Sequence, residues 1–252
     1  MSLKDLSDSL GGKQKESKKD NKSFDTHAQI KTIPAYKLMA VQFPDTFVDD
    51  INKHIDEVII PSNVSHEGQL VGQINQDKKS AQWTFPLNDD VGKDFKLVID
   101  RCASSLLKDK SGYNRDSIAE AFEAWTVHSY AGDYNPMHEH GTVSGRGVSM
   151  IAFLKVPSQI AELEERFVNP GKPQTNLNHG NSGSTDGVTQ FIWDMNSMYD
   201  APRFQHPTYA HVYPVVGKVA VFPIWLHHQV SPFYGEGERR TMSVNIDIIN
   251  HV

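Results

Sequence analysis

The sequence predicts a mainly β domain, arranged as a sandwich or barrel, with supporting α-helices. Short segments rich in β-branched and aromatic residues recur from about residue 123 onward, and Gly, Pro, Asn and Asp separate them. Before that point, apolar residues recur at helical spacing. The chain has 252 residues, of which 38% are hydrophobic and 22% are charged, so it is long enough and apolar enough to bury a core.

The helices are predicted in the first half of the chain. Residues 45–60 place apolar side chains on one stripe, with Asp45 as the N-cap and Pro61 as the stop. Residues 90–110 repeat the pattern, and a shorter helix is predicted at residues 115–122.

The predicted strands all lie in the second half. They are residues 124–130, 148–156, 187–194, 210–216, 218–223 and 239–249. Several short strands at this spacing are typical of closed β architectures, in which distant segments become neighbours.

This pattern predicts a polar tail followed by one domain. Residues 1–30 are rich in Lys, Ser, Asp and Gly and carry too few apolar residues to order themselves, so we expect disorder there. Residues 31–252 are expected to form a single domain. Within it, residues 31–122 would give mostly helical support, and residues 123–252 would form the β core.

Charge and cysteine content exclude several classes of protein. The formal net charge of −6 does not favour nucleic acid or a membrane surface as a partner. A single cysteine, Cys102, allows no internal disulfide, which is typical of a reducing compartment. The N-terminus lacks the apolar core of a secretory signal, and the longest apolar stretch, at residues 148–154, is too short to span a membrane. We therefore expect a cytoplasmic protein; its oligomeric state cannot be read from the sequence.

The stretch NPMHEHGTV contains the first candidate metal ligands, His138 and His140. Residues two apart on an extended segment point to the same face, so both imidazoles can reach one ion while Glu139 points away. Imidazole is a usual ligand for iron, zinc, copper and nickel.

The stretch FPIWLHHQVSP, residues 222–232, places His227 and His228 directly after an apolar strand. Imidazoles at such a position are costly unless something pairs with them. In a closed β-fold, His228 can therefore supply a further ligand from a distant strand, and His227 is then expected to point away.

The last strand, RRTMSVNIDII, has one polar and one mostly apolar face. An unbroken polar face either meets water at an exposed edge or lines a wet cavity. Arg239 and Thr241 lie two apart on the polar face, where a guanidinium and a hydroxyl suit one carboxylate.

Together, YAGDYNPMHEH (130–140), SGRGVSMIAFLKVP (144–157), PVVGKVAVFPIWLHHQVSP (214–232) and RRTMSVN (239–245) resemble the Fe(II)/2-oxoglutarate-dependent oxygenase superfamily. The resemblance covers roughly residues 123–249 and is to a branch found in bacteria and bacteriophages. It implies a double-stranded β-helix, which is a cupin-like jelly roll. It also implies His138 and His228 as Fe(II) ligands, with Arg239 and Thr241 gripping the distal carboxylate of 2-oxoglutarate. Asn245 matches an asparagine common in this branch, without an assigned role.

The chain departs from the superfamily at His140, where most members carry a carboxylate. His140, Glu139 and Asp133 stay open as the third ligand, and so does a site with no third ligand. With three neutral imidazoles, the dianionic co-substrate would have to balance the charge of the ion.

The implied function is hydroxylation of a peptidyl residue or a small molecule, with release of succinate and CO2, in the host cytoplasm if the chain is phage-encoded. Two alternatives stay open. A three-histidine metalloenzyme that does not use 2-oxoglutarate, such as a zinc hydrolase or a cupin-type dioxygenase, explains His140 better and Arg239 worse. A non-catalytic jelly-roll binding module explains neither.

Overall fold

Two antiparallel β-sheets carry the domain, and the chain enters each of them several times. The structure is a computed structural model that describes residues 37–66, 81–110, 113, 115–142, 145–168, 185–193 and 209–251. These residues all belong to one compact unit, Tyr36–Val252. The predicted tail, residues 1–30, lies outside the described residues, so its disorder stays a prediction.

The strands and helices follow one another along the chain with short connections. The strands are β1 (Met39–Gln42), β2 (Ala81–Thr84), β3 (Ser117–Ser129), β4 (Asn135–His138), β5 (Gly147–Lys155), β6 (Thr189–Ile192), β7 (Tyr209–Val212), β8 (Lys218–Pro223), β9 (His228–Val230) and β10 (Arg239–His251). The helices are α1 (Asp45–His54), α2 (Ile60–Ser62), α3 (Asp90–Lys108), α4 (Ser158–Ala161) and α5 (Leu163–Val168), with a π-helical turn, Ile55–Ile59, joining α1 to α2.

The major sheet has the strand order β1-β8-β5-β10-β3-β2, and the minor sheet has the order β4-β9-β6-β7. Neighbouring strands that lie far apart in the sequence are typical of a jelly roll. The prediction of a mainly β domain with supporting helices is confirmed.

Alternation along the central strands decides which side chains face the helices. On β5, Met150 and Ala152 pack with α1 and α3 in the larger core, whereas Ile151 and Phe153 belong to a second core on the opposite face. Because successive residues of a strand point to opposite faces, a strand buried on both sides reads as a continuous apolar run. The helices therefore cover one face of the major sheet and leave the other for the minor sheet and the site.

Both long helices lie where the sequence predicts them, with different ends. The N-cap of α1 is Pro44, and Asp45 is instead in the first turn, where its charge favours the helix dipole. Pro61 lies inside α2, and the helix ends at Asn63, which adopts a left-handed conformation with φ of 54°. For α3, the Asp89 side chain accepts a hydrogen bond from the Gly92 amide at 2.6 Å.

The helix predicted at residues 115–122 is wrong, because this segment begins the long strand β3. Its Ala and Glu content favours a helix by propensity, but its burial alternates with a period of two. Ser117, Ala119 and Ala121 are buried, and such small side chains let α3 approach the sheet closely. Tertiary packing therefore overrides local propensity in this segment.

The N-terminal part of the domain also contributes two strands that were not predicted from the sequence. β1 pairs with β8 and β2 pairs with β3, so both extend the major sheet at its edges. Within the described ranges, no helix is long and apolar enough to cross a membrane.

Candidate metal and co-substrate site

Strand pairing brings the predicted histidines together. β4 pairs with β9 in the minor sheet, and in that register His138 lies opposite His228. His140 follows β4, and its backbone amide donates to the Ile224 carbonyl at 3.1 Å. One nitrogen from each of the three imidazoles lies within 4.8 Å of the other two. This is a cluster of the size that one metal ion requires.

Hydrogen bonds aim the ring nitrogens into the cluster. Nδ1 of His138 donates to the Pro136 carbonyl at 2.7 Å, and Nδ1 of His228 donates to the Leu226 carbonyl at 2.9 Å. Nε2 is therefore the free nitrogen of each ring. Nε2 of His140 lies 3.2 Å from Nε2 of His228, a contact between two acceptors that calls for a proton or a cation between them.

Burial keeps the three imidazoles neutral. It lowers the pKa of His138, the pKa of His140 to about 4 and the pKa of His228 to about 3. The neighbouring imidazoles of the cluster lower the pKa of His140 and His228 further. Neutral imidazole is the form that binds a metal, so the cluster is ready to bind one at neutral pH.

The other candidate ligands lie elsewhere. The Glu139 side chain is 53% exposed and points away from the cluster, with its carboxylate 3.9 Å from the equally exposed imidazole of His227. Asp133 is buried, but its carboxylate accepts from the Tyr130 amide at 2.6 Å in the turn after β3. Of the candidates for the third position, His140 is the one that the structure brings to His138 and His228.

Arg239 is a buried cation at the start of β10, with only 2% of its surface exposed. Its Nε donates to the Gly187 carbonyl at 3.0 Å and Nη2 to Thr189 Oγ1 at 3.3 Å. The guanidinium carbon lies 5.0 Å from the ring centroid of Phe153. Burial lowers the Arg239 pKa to about 10, so the group is still charged at neutral pH.

No carboxylate among the described residues pairs with the charge of Arg239. Among the described residues, the hydrogen bonds of its side chain go to a carbonyl and a hydroxyl rather than to a carboxylate. A buried charge without a partner is costly, and most of the five N–H groups of the guanidinium are left for a ligand. An anionic ligand is the natural partner of such a group.

The polar face of β10 lines an internal pocket. Thr241, Ser243 and Asn245 are buried, because β10 is a central strand between β5 and β3. The alternative of an exposed edge strand is therefore wrong. The pocket has a volume of about 280 Å³, and its lining includes all three histidines together with Arg239 and Thr241.

Several residues of this pocket were not predicted from the sequence. Glu123 and Trp125 enter it from β3, His66 from the segment after α2, and Thr189 from β6. Alternation along β3 does not identify Glu123 and Trp125, because the register with β10 shifts between Ala121 and Glu123. Ala121 and Ala124 therefore face the helices, whereas Glu123 and Trp125 face the pocket. Thr189 and His66 carry no local pattern that marks them.

The remaining histidines of the β region lie away from the cluster or outside the description. The imidazole of His128 is on the helix-covered face, where it contacts Glu238 at 2.6 Å. His211, on β7, packs between two tyrosines. His206 lies outside the described residues.

Comparison with protein families gives one match. Residues 123–245 match the family described as "Putative 2OG-Fe(II) oxygenase", where 2OG is 2-oxoglutarate. The matched segment contains the three clustered histidines, Arg239 and Thr241. No curated protein sequence matches the chain. The comparisons do not support a bacteriophage source.

Comparison with solved structures supports the fold. The chain is similar to the α-ketoglutarate-dependent epimerase SnoN from nogalamycin biosynthesis, with a TM-score of 0.52 and 11% identity, over 84% of this chain and 78% of that one. The carbocyclase SnoK from the same pathway gives a TM-score of 0.52 and 10% identity, over 84% and 79%. A prolyl-4-hydroxylase from Pseudomonas putida gives a TM-score of 0.45 and 13% identity, over 84% and 92%.

The double-stranded β-helix predicted from the resemblance is confirmed by these neighbours. The family match covers the segment that contains the three clustered histidines and Arg239. It therefore supports the assignment of this chain to the Fe(II)/2-oxoglutarate-dependent oxygenases, enzymes whose metal is Fe(II) and whose co-substrate is 2-oxoglutarate.

Proposed function

We propose that this oxygenase hydroxylates a C–H bond of a peptidyl residue or a small molecule. His138, His140 and His228 would hold Fe(II), and Arg239 with Thr241 would hold the distal carboxylate of 2-oxoglutarate. The observation that carries the proposal is one pocket that combines three convergent neutral imidazoles with a buried guanidinium. Within the described part of the chain, that guanidinium bonds to a carbonyl and a hydroxyl and to no carboxylate.

The residues present fit the metal and the co-substrate. Three imidazoles are suitable ligands for Fe(II), and three leave coordination positions for other molecules. Because these ligands are neutral, the protein does not cancel the charge of the ion. A dianion that binds the ion at one end and Arg239 at the other supplies the missing negative charge.

Bound Fe(II) would supply oxygen activation coupled to decarboxylation, so that R–H, O2 and 2-oxoglutarate give R–OH, succinate and CO2. Arg239 orients the co-substrate, because its guanidinium is held in place by Gly187, Thr189 and the Phe153 ring. Ile151 and Val230 give the lining of the pocket an apolar part that limits access of water.

The charge around the pocket bears on the class of substrate. Glu123 contributes a carboxylate to its lining. Among the described lining residues, the permanent cation is Arg239, which the co-substrate would occupy. A phosphate backbone would meet repulsion there, which supports a peptide or a small molecule over a nucleic acid.

Arg239 also separates this proposal from the alternative metalloenzymes. A zinc hydrolase or a cupin-type dioxygenase would use the three histidines but would have no need for a buried guanidinium. The charge of Arg239 would then stay unbalanced inside the domain, at a cost to folding.

Uncoupled turnover tests the proposal. The purified protein is loaded with Fe(II) without oxygen, 2-oxoglutarate and oxygen are added, and succinate is measured. We expect succinate from the wild type and the His227→Ala control, and none above background from His228→Ala or Arg239→Ala.

Binding of 2-oxoglutarate is measured as well, because an enzyme of this kind can fail to release succinate when its substrate is absent. Isothermal titration of the Co(II)-loaded protein without oxygen should show one site in the wild type and a weakened site in Arg239→Ala. Absence of binding to the wild type would overturn the proposal and favour the metalloenzymes that do not use 2-oxoglutarate.

A further inference from the structure

Asn245 lies between the third histidine and a carboxylate. Its Nδ2 donates to Glu123 Oε2 at 2.8 Å, and Asn245 and His140 both line the pocket. Burial lowers the pKa of His140, and hydrogen bonding to the Asn245 side chain opposes that shift. Sheet register explains the arrangement, because Asn245 on β10 pairs with Glu123 on β3 and with Ser149 on β5. Ser149 Oγ donates to Asn245 Oδ1 at 3.5 Å.

The chemistry of the partners fixes the direction of each hydrogen bond. A carboxylate can only accept, so Glu123 requires the NH2 group of Asn245 to face it. The amide oxygen is then turned away from Glu123. Nε2 of His140 lies in the cluster, 3.2 Å from Nε2 of His228, so its Nδ1–H is the group left to donate to that oxygen. The amide thus does for His140 what backbone carbonyls do for the other two histidines.

Aromatic packing holds the same group of residues. The Trp125 ring lies between two imidazoles, 5.5 Å from His140 at an interplanar angle of 28° and 4.8 Å from His66 at 11°. His66 Nε2 is also 3.8 Å from Glu123 Oε1. Glu123 is therefore approached on both oxygens, by Asn245 and by His66, which restricts its rotation.

We infer that Asn245 and Glu123 are positioning residues for His140, an inference that rests on the proposed role of His140 as a metal ligand. Most of the superfamily has a carboxylate as the third ligand, whereas this chain places a carboxylate two hydrogen bonds further out, behind Asn245. Outer hydrogen bonds fix the tautomer of a ligating imidazole and raise its basicity. A negative charge at the end of the chain of bonds polarises them in the direction that favours a cation.

Co(II) titration of the full chain tests this inference, because the visible absorption of Co(II) reports both affinity and coordination geometry. We expect Asn245→Ala to weaken Co(II) binding by about 10- to 100-fold and to change the spectrum, as is typical of outer-shell changes. Glu123→Gln keeps an acceptor for the amide but loses the charge, so it should weaken binding less. Glu139→Gln removes an exposed carboxylate near the same pocket and should bind Co(II) like the wild type.

An exchange of groups gives a sharper test. Asn245→Asp alone sets two carboxylates against each other and should weaken binding. Combining it with Glu123→Gln restores one donor and one acceptor in reversed order, and should recover at least wild-type affinity. A residue that acts only on folding would not show this recovery in affinity and spectrum. Unfolding of the metal-free variants, followed by circular dichroism, reports any loss of folding separately.

Different outcomes would contradict the metal site and the positioning role of Asn245 and Glu123. If the wild type bound no Co(II), or if His228→Ala bound it equally well, the proposed metal site itself would be wrong. If His228→Ala lost binding while Asn245→Ala and Glu123→Gln kept wild-type affinity and spectrum, only the positioning role would be overturned.

Discussion

Arg239 and Arg240 are neighbours on β10, yet their guanidinium groups lie on opposite faces of the major sheet. Arg239 lines the pocket, whereas Arg240 faces the helices. Arg240 contacts Glu238 at 2.8 and 3.2 Å, Asp56 at 2.7 Å and Asn52 at 3.1 Å. Arg240 is therefore paired with carboxylates, whereas Arg239 has no carboxylate partner among the residues that the structure describes.

Replacing Arg239 by Met should separate binding from stability. Removal of the buried guanidinium should lower 2-oxoglutarate affinity by at least about 30-fold, equivalent to about 2 kcal/mol. The ligand-free protein should be as stable as the wild type or more stable, because the variant removes a buried charge without a counter-ion. Titration with 2-oxoglutarate and urea unfolding measure the two effects.

Arg240→Met is the matched comparison, and we expect the opposite outcome. It leaves the partly buried carboxylate of Glu238 without its arginine partner, so the free energy of unfolding should fall by about 3 kcal/mol. If Arg239→Met were the more destabilising of the two changes, the assignment of the two faces to binding and to folding would be wrong.

The adjacent histidines provide a test by addition and removal of metal. Co(II) at about 100 times its dissociation constant should raise the free energy of unfolding by about 2.7 kcal/mol in the wild type, and a chelator should reverse the increase. His227→Ala should behave in the same way, because that side chain is 54% exposed. His228→Ala should show no stabilisation. Equal stabilisation of both variants would exclude His228 as a ligand.

Glu238 should give the domain a distinctive sensitivity to acid. Burial raises the Glu238 pKa, but hydrogen bonds from His128 and Arg240 and the charge of Arg240 outweigh it, and the pKa falls to about 2 from a usual value of 4.5. Because the folded pKa is below the unfolded one, the stabilisation is present above about pH 4.5 and is lost as the pH falls towards 2.

Comparison of the wild type with Glu238→Gln separates the contribution of Glu238 from that of other titrating groups. The buried imidazoles of the cluster also have lowered pKa values, so they too reduce stability in acid. We expect urea unfolding to show that the free energy of unfolding of the wild type exceeds that of Glu238→Gln by a larger margin at pH 6 than at pH 3. A margin that did not depend on pH would contradict the role given to the Glu238 charge.

Gly187 has a backbone conformation that favours glycine, and it also contacts Arg239 in the proposed co-substrate site. Its φ is +65°, and a Cβ there would lie 2.7 Å from Ile160 Cδ1 and 3.4 Å from Arg239 Cδ. Its carbonyl also accepts from Arg239. Gly187→Ala should therefore both destabilise the fold and weaken 2-oxoglutarate binding.

Gly132 offers the control for backbone strain alone. It has a φ of +89°, but a Cβ there would meet nothing within 4 Å. Gly132→Ala should lower the free energy of unfolding by about 1–2 kcal/mol and leave 2-oxoglutarate affinity unchanged. Equal losses of 2-oxoglutarate affinity in the two variants would show that Gly187 does not act through Arg239.

Patterns that repeat along the chain predicted a large part of the fold. Periodicity of 3.6 located α1 and α3, and β-branched runs located most strands of the second half. The pattern failed at residues 115–122, where Ala and Glu outweighed an alternation that only packing against α3 makes decisive. The edge strands β1 and β2 are four residues each, too short for periodicity to mark them.

Some residues of the candidate site were predicted from the sequence, and others were not. Residue type and spacing, together with the family resemblance, predict His138, His228, Arg239 and Thr241 as site residues and predict that His227 points away. They leave His140 as one of several candidates for the third ligand. Neither type nor spacing marked Glu123 as a partner of Asn245, because the two are 122 positions apart in the chain. Their contact depends on which strands pair and in which register.

The sequence by itself determined the two faces of β10, the imidazole pair around Glu139 and the order of histidines and arginine along the chain. These features follow from local chemistry and from the alternation of side chains along a strand. Only the tertiary structure decided that His140 joins the cluster, that Asn245 contacts Glu123 in the same pocket, and that Arg240, unlike Arg239, pairs with carboxylates of the described residues. The physical reason is that pairing between distant strands sets these contacts, and the pattern of one strand carries no record of the residue that lies opposite it.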